Sequence, residues 1–427
     1  MRKFFFSGGF LLAGGAIFSK FLGFLRDRIF LEIFPPEKID FIFAALRIPD
    51  FFYFLFVGGT VAVIFIPAAA QLSPRDTEKF FGSFFCGVAI FFGIFSAAGF
   101  FAANFLVEIF AAGFSAAAKI EIAALSRYFF IATFLLALSS VFAAELQRRQ
   151  QFFSVAAGPI FFSGAICVGT FFFGEKLGFS ATGISAIFGA AAHFFLNFLA
   201  AKFLKIKLNF FWQKPKFAFK NFWPDFWRRI LNNSAFQINY SADILIASFL
   251  AAGTATAFSI GANCGQVFFS IVGFPLASSA FPKLAAAKNL CDKKKIFFSA
   301  LQKILIFTLP AAIFGAIFAR EILQIFFNLH GENLQMAATT FFWIILSTPA
   351  HCAIPLFSRV FFSAGDTKTP FFISSFSLLF STFLAAILSL KILEKNQIFG
   401  LAFATFFANF LSVAIFAIFF RRLFLQK

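Results

Sequence analysis

Charge is scarce in this chain. Only 13% of its 427 residues are Asp, Glu, Lys or Arg, whereas 61% are hydrophobic and the mean hydropathy is +0.90. A water-soluble domain of this length has no interior large enough for so much apolar surface, so a single soluble core is excluded. Acidic residues are scarcer still, 18 against 36 Lys and Arg, which leaves a formal net charge of +18. The five cysteines (Cys86, Cys167, Cys264, Cys291, Cys352) form no Cys-x-x-Cys pair, and the three histidines (His193, His330, His351) stand apart. That spacing argues against a metal site, and no cofactor is expected. No Ser/His/Asp or Cys/His grouping, phosphate-binding glycine loop or carboxylate pair at catalytic spacing is present, which argues against an enzyme.

What the chain has instead is long apolar runs. Breaking them at charges and Pro/Gly clusters gives twelve: 7–33, 40–69, 79–106, 119–146, 152–173, 179–203, 222–251, 254–287, 294–319, 333–363, 366–391 and 397–424. The expected fold class is an all-α membrane protein of about twelve transmembrane helices. Arg2 and Lys3 before the first run resemble a signal peptide, but no polar mature domain follows, so the run reads as an uncleaved span. With the N-terminus placed inside, 24 of the 36 Lys and Arg fall in inner segments and 6 in outer loops. This is the positive-inside pattern of a multi-pass protein with both termini in the cytoplasm. The basic charge therefore reads as topology, and nucleic acid is not an expected partner. Phe, at 84 residues, reads as a replacement for Leu and Ile on lipid-facing positions.

The chain also repeats. Val57-Gly58 is followed by Pro67, a run of alanines and a charged loop; Val272-Gly273 is followed in the same way by Pro282, an offset of 215. Asp27 precedes Ile33-Phe34 much as Asp243 precedes Phe249-Leu250, an offset of 216. Two six-helix lobes follow, 1–207 and 221–427, joined by a cytoplasmic linker at 208–220. Six spans per lobe is an even number, so the repeat is parallel, related by an axis along the membrane normal, and transporters built this way hold substrate between the lobes. The basic segment 202–220, with Trp212 and nearby Trp223, reads as an anchor on anionic membrane lipids.

Six basic residues lie inside the apolar runs: Lys20, Arg26, Arg28, Arg47, Arg127 and Arg359. Three of them belong to Ser19–Arg28. At about 100° per residue, Ser19, Lys20, Gly23, Arg26 and Asp27 fall within an arc of about 120°. Charge in hydrocarbon is costly and by default faces a cavity or path. On the second run Asp40 and Arg47 share a face, Pro49 interrupts the helix, and Asp50 and Tyr53 follow. Two readings fit: a cationic cavity in which Arg26 and Arg47 hold an anionic head group, or an internal salt-bridge network such as Asp27 to Arg47. Glu32 and Asp40, near the outer ends of their helices, fit a gate. In the second lobe the eighth run offers Asn263 and Gln266 without charge. Asp243 on the seventh is either a proton or Na⁺ site or a hydrogen-bonded structural acid.

Four strings, in order, resemble one family. Ser19-Lys-Phe-Leu-Gly-Phe-Leu-Arg-Asp27 resembles its S-R-x-x-G-x-x-R-D, and Asp40-Phe-Ile-Phe-Ala-Ala-Leu-Arg-Ile-Pro-Asp50 its D-A-F-x-x-A-x-[KR]-[LI]-P-N. The stretch from Glu145 to Pro159 resembles Q-R-F-x-x-P-A-x-x-P, and the stretch from Ser358 to Pro370 resembles R-x-F-Y-A-x-x-D-T-[KR]-T-P. The family is that of the lipid II flippases called MurJ or MviN, in the multidrug/oligosaccharidyl-lipid/polysaccharide exporter superfamily.

The resemblance implies a two-lobed transporter of the bacterial inner membrane that moves an undecaprenyl-pyrophosphate-linked glycan to the outer leaflet. It also implies cavity cations that hold the pyrophosphate. Matching positions are Ser19, Lys20 (for an Arg), Gly23, Arg26, Asp40 and Asp50 (for an Asn). The family's second-helix Arg and nearby acid fall at Tyr53 and Gly58, and its eighth-helix Arg and partner fall at Asn263 and Gln266. Members have fourteen helices, against the twelve runs counted here. The resemblance also carries coupling to Na⁺ through Asp243 or to the membrane potential, and cell-wall synthesis proteins as partners. Export of another amphiphile and a non-transporting scaffold are the alternative functions.

Overall fold

The computed structural model describes residues 8–57, 60–70, 72–206, 238–287, 289–366, 368–393 and 396–425. Every regular element among them is a helix. The chain divides into two compact units, Met1–Gln237 and Ile238–Lys427. The expected linker at 208–220 and most of the seventh run lie outside the described residues.

In the first unit α1 is Gly8–Ile33, α2 Pro36–Phe56, α3 Thr60–Ala70 and α4 Pro74–Phe101. A short α5, Ala103–Phe110, leads to α6, Ala116–Arg148, then α7, Phe153–Leu177, and α8, Ser180–Phe203. In the second unit residues 238–247 are helical, followed by α9, Thr254–Gly265. A π-helical turn, Phe269–Gly273, leads into α10, Phe274–Ala286. Then come α11, Leu290–Ile317; α12, Ala319–Phe327; α13, Gly331–Ser363; α14, Lys368–Ile387, ending in a second π turn; and α15, Gln397–Leu425. Among the described residues nine of the expected spans are helices long and apolar enough to cross a membrane.

The repeat seen in short motifs extends to whole elements. Helices of 28, 8 and 33 residues (α4, α5, α6) recur as helices of 28, 9 and 33 (α11, α12, α13). Pro74, Ala103 and Phe153 correspond to Leu290, Ala319 and Lys368, at offsets of 216, 216 and 215. The packing repeats as well. Helix α6 is the central strut of its unit, touching α2, α3, α4, α5 and α8, and α13 touches α9, α10, α11, α12 and α15. Accordingly α6 and α13 are the two most buried spans, two-thirds of the apolar stretch in each.

Three expectations need correction. The first helix of the second span ends at Val57, and the eighth span, helical across 254–286, is interrupted by a turn at Gln266 and a π turn at Phe269–Gly273. In the second unit Pro275 stands in the first turn of the helix that follows. The third span starts at Pro74 rather than residue 79, because Ser73 caps it by accepting from the Asp76 N–H at 3.2 Å. It ends at Phe101, and the residues beyond form the separate α5. Finally, Phe is not confined to lipid-facing positions. Phe101 and Phe203 are more than 80% exposed, but ten of the twelve largest fully buried side chains are also Phe. Phe142 meets the rings of Phe81, Phe85, Phe194 and Phe198, so aromatic edges and faces fill the core.

Candidate functional site

The charged stretch of α1 splits into an open half and a buried half. Lys20 is exposed, Ser19 is half-buried, and a Cβ added at Gly23 would meet nothing within 4 Å. One turn further on, the Asp27 side chain is 2% exposed and that of Arg26 19%. The two neighbours bind each other: Arg26 donates from Nε and Nη2 to Asp27 Oδ1 at 2.9 and 2.6 Å. The Arg26 guanidinium also lies 5.7 Å from the centre of the Phe30 ring. Arg28, on the other side of the helix, pairs with Glu32 at 2.9 Å.

The structure brings this pair up to α2 and α7. Asp50 feels the charges of both Arg47 and Arg26, Tyr53 feels Asp50, and Cys167 of α7 feels Arg26 and Asp27. Cys167 donates its thiol to the Leu22 carbonyl at 3.4 Å, which pins α7 to α1. Two cations and two carboxylates thus sit together with no net charge, the arrangement that lets ions leave water. Of the two sequence readings, the structure bears on the ion-paired interior. The salt-bridged interior is present, with Arg26 as an Asp27 partner. Yet Arg26 commits only two of its five N–H donors to Asp27, leaving three for an anion. Asp40 is buried in the same unit, at 2%.

Asn263 and Gln266 lie within one turn of each other in the second unit. Gly261 and Gly265 press the opposite side of α9 against α13, where added Cβ atoms would come within 2.7 Å of the Ala337 carbonyl and 2.4 Å of Ile344. Asn263, 200° away from both, is half-buried on the outer side. Gln266 ends the helix, its N–H bonding the Ala262 and Cys264 carbonyls. Asp243 is 2% exposed.

Two features escaped the sequence reading. Arg359 of α13 donates to Ser278 Oγ at 2.8 Å and lies 5.1 Å from the Phe274 ring centre. Its presence in an apolar run was the signal available. Glu145, 1% exposed, accepts from both Arg148 and Arg149 at 2.7 Å. In sequence the three residues stood out as part of the Glu145–Pro159 string, without a sign that they pair with one another.

Two units sharing one helix order, each built around a buried central helix and the first holding paired charges in its opening helices, make this an all-α multi-pass membrane transporter of the two-lobe class. The family model described as lipid II flippase MurJ matches residues 38–426, and the chain belongs to that family. A probable lipid II flippase MurJ of Borreliella burgdorferi is 25% identical over 375 residues, covering 84% of this chain and 72% of the relative. One from Rickettsia prowazekii is 22% identical over 433 residues, covering 96% and 82%. Among solved structures, a lipid II flippase MurJ in an inward closed conformation superposes with a TM-score of 0.80 at 21% identity, covering 96% of this chain and 87% of that one. An inward-facing multidrug resistance MATE transporter follows at 0.74 and 15%, covering 94% of each. At these identities the structural likeness shows the fold.

Proposed function

We propose that this chain flips lipid II, an undecaprenyl-pyrophosphate-linked disaccharide-peptide, from the inner to the outer leaflet of the bacterial cytoplasmic membrane by alternating access of its two units. The observation that carries this reading is Arg26, held in place by Asp27 with three N–H donors to spare. A pre-oriented guanidinium suits the paired oxygens of a pyrophosphate, and it spends little entropy on binding. Lys20, exposed at the other edge of the same arc, supplies a second cation, and Arg47 with Asp50 sets the local balance. Ser19, Gly23, Asp40, Asn263 and Gln266 complete the set proposed to meet substrate. Both termini lie in the cytoplasm on the basic-residue asymmetry. The energy comes from the membrane potential or from Na⁺ at Asp243, and membrane lipids and cell-wall synthesis proteins are the partners. The work is transport without covalent chemistry.

One observation favours a second reading. Tyr53 and Asn263 stand where the family's cavity arginines fall, so export of another lipid-linked glycan or amphiphile is the runner-up, ahead of a non-transporting scaffold. Expression in cells depleted of their own flippase separates them. The chain is expected to restore growth, and Arg26→Ala to abolish rescue at unchanged membrane abundance. Native mass spectrometry should show lipid II bound to the purified chain, about tenfold weaker in Arg26→Ala. A chain that neither rescues nor binds lipid II sinks the first reading.

A further inference from the structure

Four elements of the first unit end around a cavity of about 200 Å³. Ala69 and Ala70 close α3, Pro74, Thr77, Glu78 and Phe81 open α4, Glu145, Arg148 and Arg149 end α6, and Ile206 follows α8. At about 30 Å³ per water the space would take some six waters or one small polar head group. Its charges are not spread evenly. Arg148 grips Glu145 through Nε and Nη2, and Arg149 through Nε, so this side carries two cations and one buried carboxylate. Three donors of Arg148 and four of Arg149 remain beyond those bonds. Glu78 lines the same cavity, half-buried, and closes no ion pair within 4.0 Å among the described residues. A net positive side and a separate negative group therefore face one space without meeting.

The depth of the cavity is set by sequence. Helix α4 carries Arg75, Asp76, Glu78 and Lys79 and turns apolar at Phe80. Helix α6 is apolar from Tyr128 through Ala144, apart from serines and a threonine, and turns charged at Glu145. The cavity thus sits where both spans pass from hydrocarbon to water, the level of lipid head groups.

The internal repeat supplies a control. In the second unit the corresponding ends are the start of α11, which carries Lys293, and the end of α13, which carries Ser363. There the two ends are joined directly, Lys293 Nζ donating to the Ser363 carbonyl at 2.7 Å. The first unit carries Glu78 near the start of α4 and Arg148 at the end of α6, and leaves a cavity between these helices.

We propose that this cavity binds the head group of a zwitterionic aminophospholipid, with the phosphate on Arg148 and Arg149 and the ammonium on Glu78. A primary ammonium donates to a carboxylate. A quaternary one does not, and an anionic head group without an amine would leave Glu78 facing negative charge. The apolar floor of Ala69, Ala70 and Phe81 suits the adjoining glycerol.

The test is native mass spectrometry of the full chain released from nanodiscs holding equal phosphatidylethanolamine, phosphatidylglycerol and phosphatidylcholine. Phosphatidylethanolamine adducts are expected to survive preferentially. Glu78→Gln should cut that preference about tenfold while leaving thermal stability in detergent unchanged. Arg149→Lys, which keeps the charge but loses the fork, is the second variant and should lower adduct retention as well. Soluble phosphoethanolamine in excess should compete weakly if the bilayer lipid is the ligand, and fully if the head group alone suffices. Equal retention of the three lipids, or an unchanged preference in Glu78→Gln and Arg149→Lys, overturns the assignment and leaves Glu145 and its arginines as a structural latch.

Discussion

At the scale of single residues, the buried Arg26–Asp27 pair decides what the first helix can do. A guanidinium buried without a carboxylate is costly, so Asp27→Asn is expected to lower stability by about 2–3 kcal/mol, read as an earlier thermal transition in detergent. The same substitution should loosen Arg26, so that lipid II binding weakens even in protein that remains folded. Arg26→Lys keeps the charge without the fork and should retain part of the activity that Arg26→Ala loses. That α1 carries the important charges was legible from their spacing. Which carboxylate Arg26 would choose was not. Adjacent residues on a helix project about 100° apart, and periodicity alone gives no reason for Arg26 to fold back on Asp27. The burial of Glu145 was illegible for the same reason, because it depends on α3, α4 and the end of α8 closing over the end of α6.

At the scale of elements, close helix contact rests on small residues. Gly261 and Gly265 form a Gly-x-x-x-Gly face that lets α9 approach the backbone of α13. Gly261→Val would drive two methyls toward the Ala337 carbonyl and Thr340, and is expected to cost about 2 kcal/mol. Gly23→Ala, in open space within a helix, should not lower stability and should gain up to about 1 kcal/mol, and denaturation of the two variants side by side checks the contrast.

Helix α14 shows an electrostatic device at its start. Partial burial pushes the Asp366 carboxyl up, but hydrogen bonds from Thr369 and from the Lys368 and Thr369 N–H groups, with the Lys368 charge, hold it below its ordinary value. A depressed carboxyl lends its stability above the ordinary pKa of about 4 and loses it as the pH falls through the folded value. Amide exchange at the first turn of α14 should therefore speed up relative to the helix centre below about pH 4. In Asp366→Ala the turn should exchange fast at every pH. The string around Asp366 was visible in sequence; its role at a helix start follows from the two N–H bonds, both 3.0 Å.

At the scale of the whole molecule, each unit has its own core. One is built around Phe65, Phe81 and Phe142, the other around Phe297, Phe357 and Phe416. Co-expressed fragments 1–237 and 238–427 are therefore expected to accumulate in the membrane as folded species, each resistant to protease in detergent, and to restore function only together. Degradation of either fragment alone would show that its core does not suffice.

Sequence alone determined the membrane class, the number of apolar runs and the two-fold repetition. Hydrophobic length and spacing are local properties, and a duplicated chain keeps its offset of 215 or 216. It also pointed to α1 as the place where charge enters the membrane region. Only tertiary structure decided that the first helix of the second span ends at Val57 and that a π turn interrupts the eighth, that Phe fills cores as well as facing lipid, and that Arg26 answers to Asp27. It alone brought Glu78 and Arg149 to one cavity. The physical reason is the same in each case. A break, a buried ring or an ion pair is settled by which helices come into contact, and residues about 70 apart in sequence carry no local sign that they will share a space.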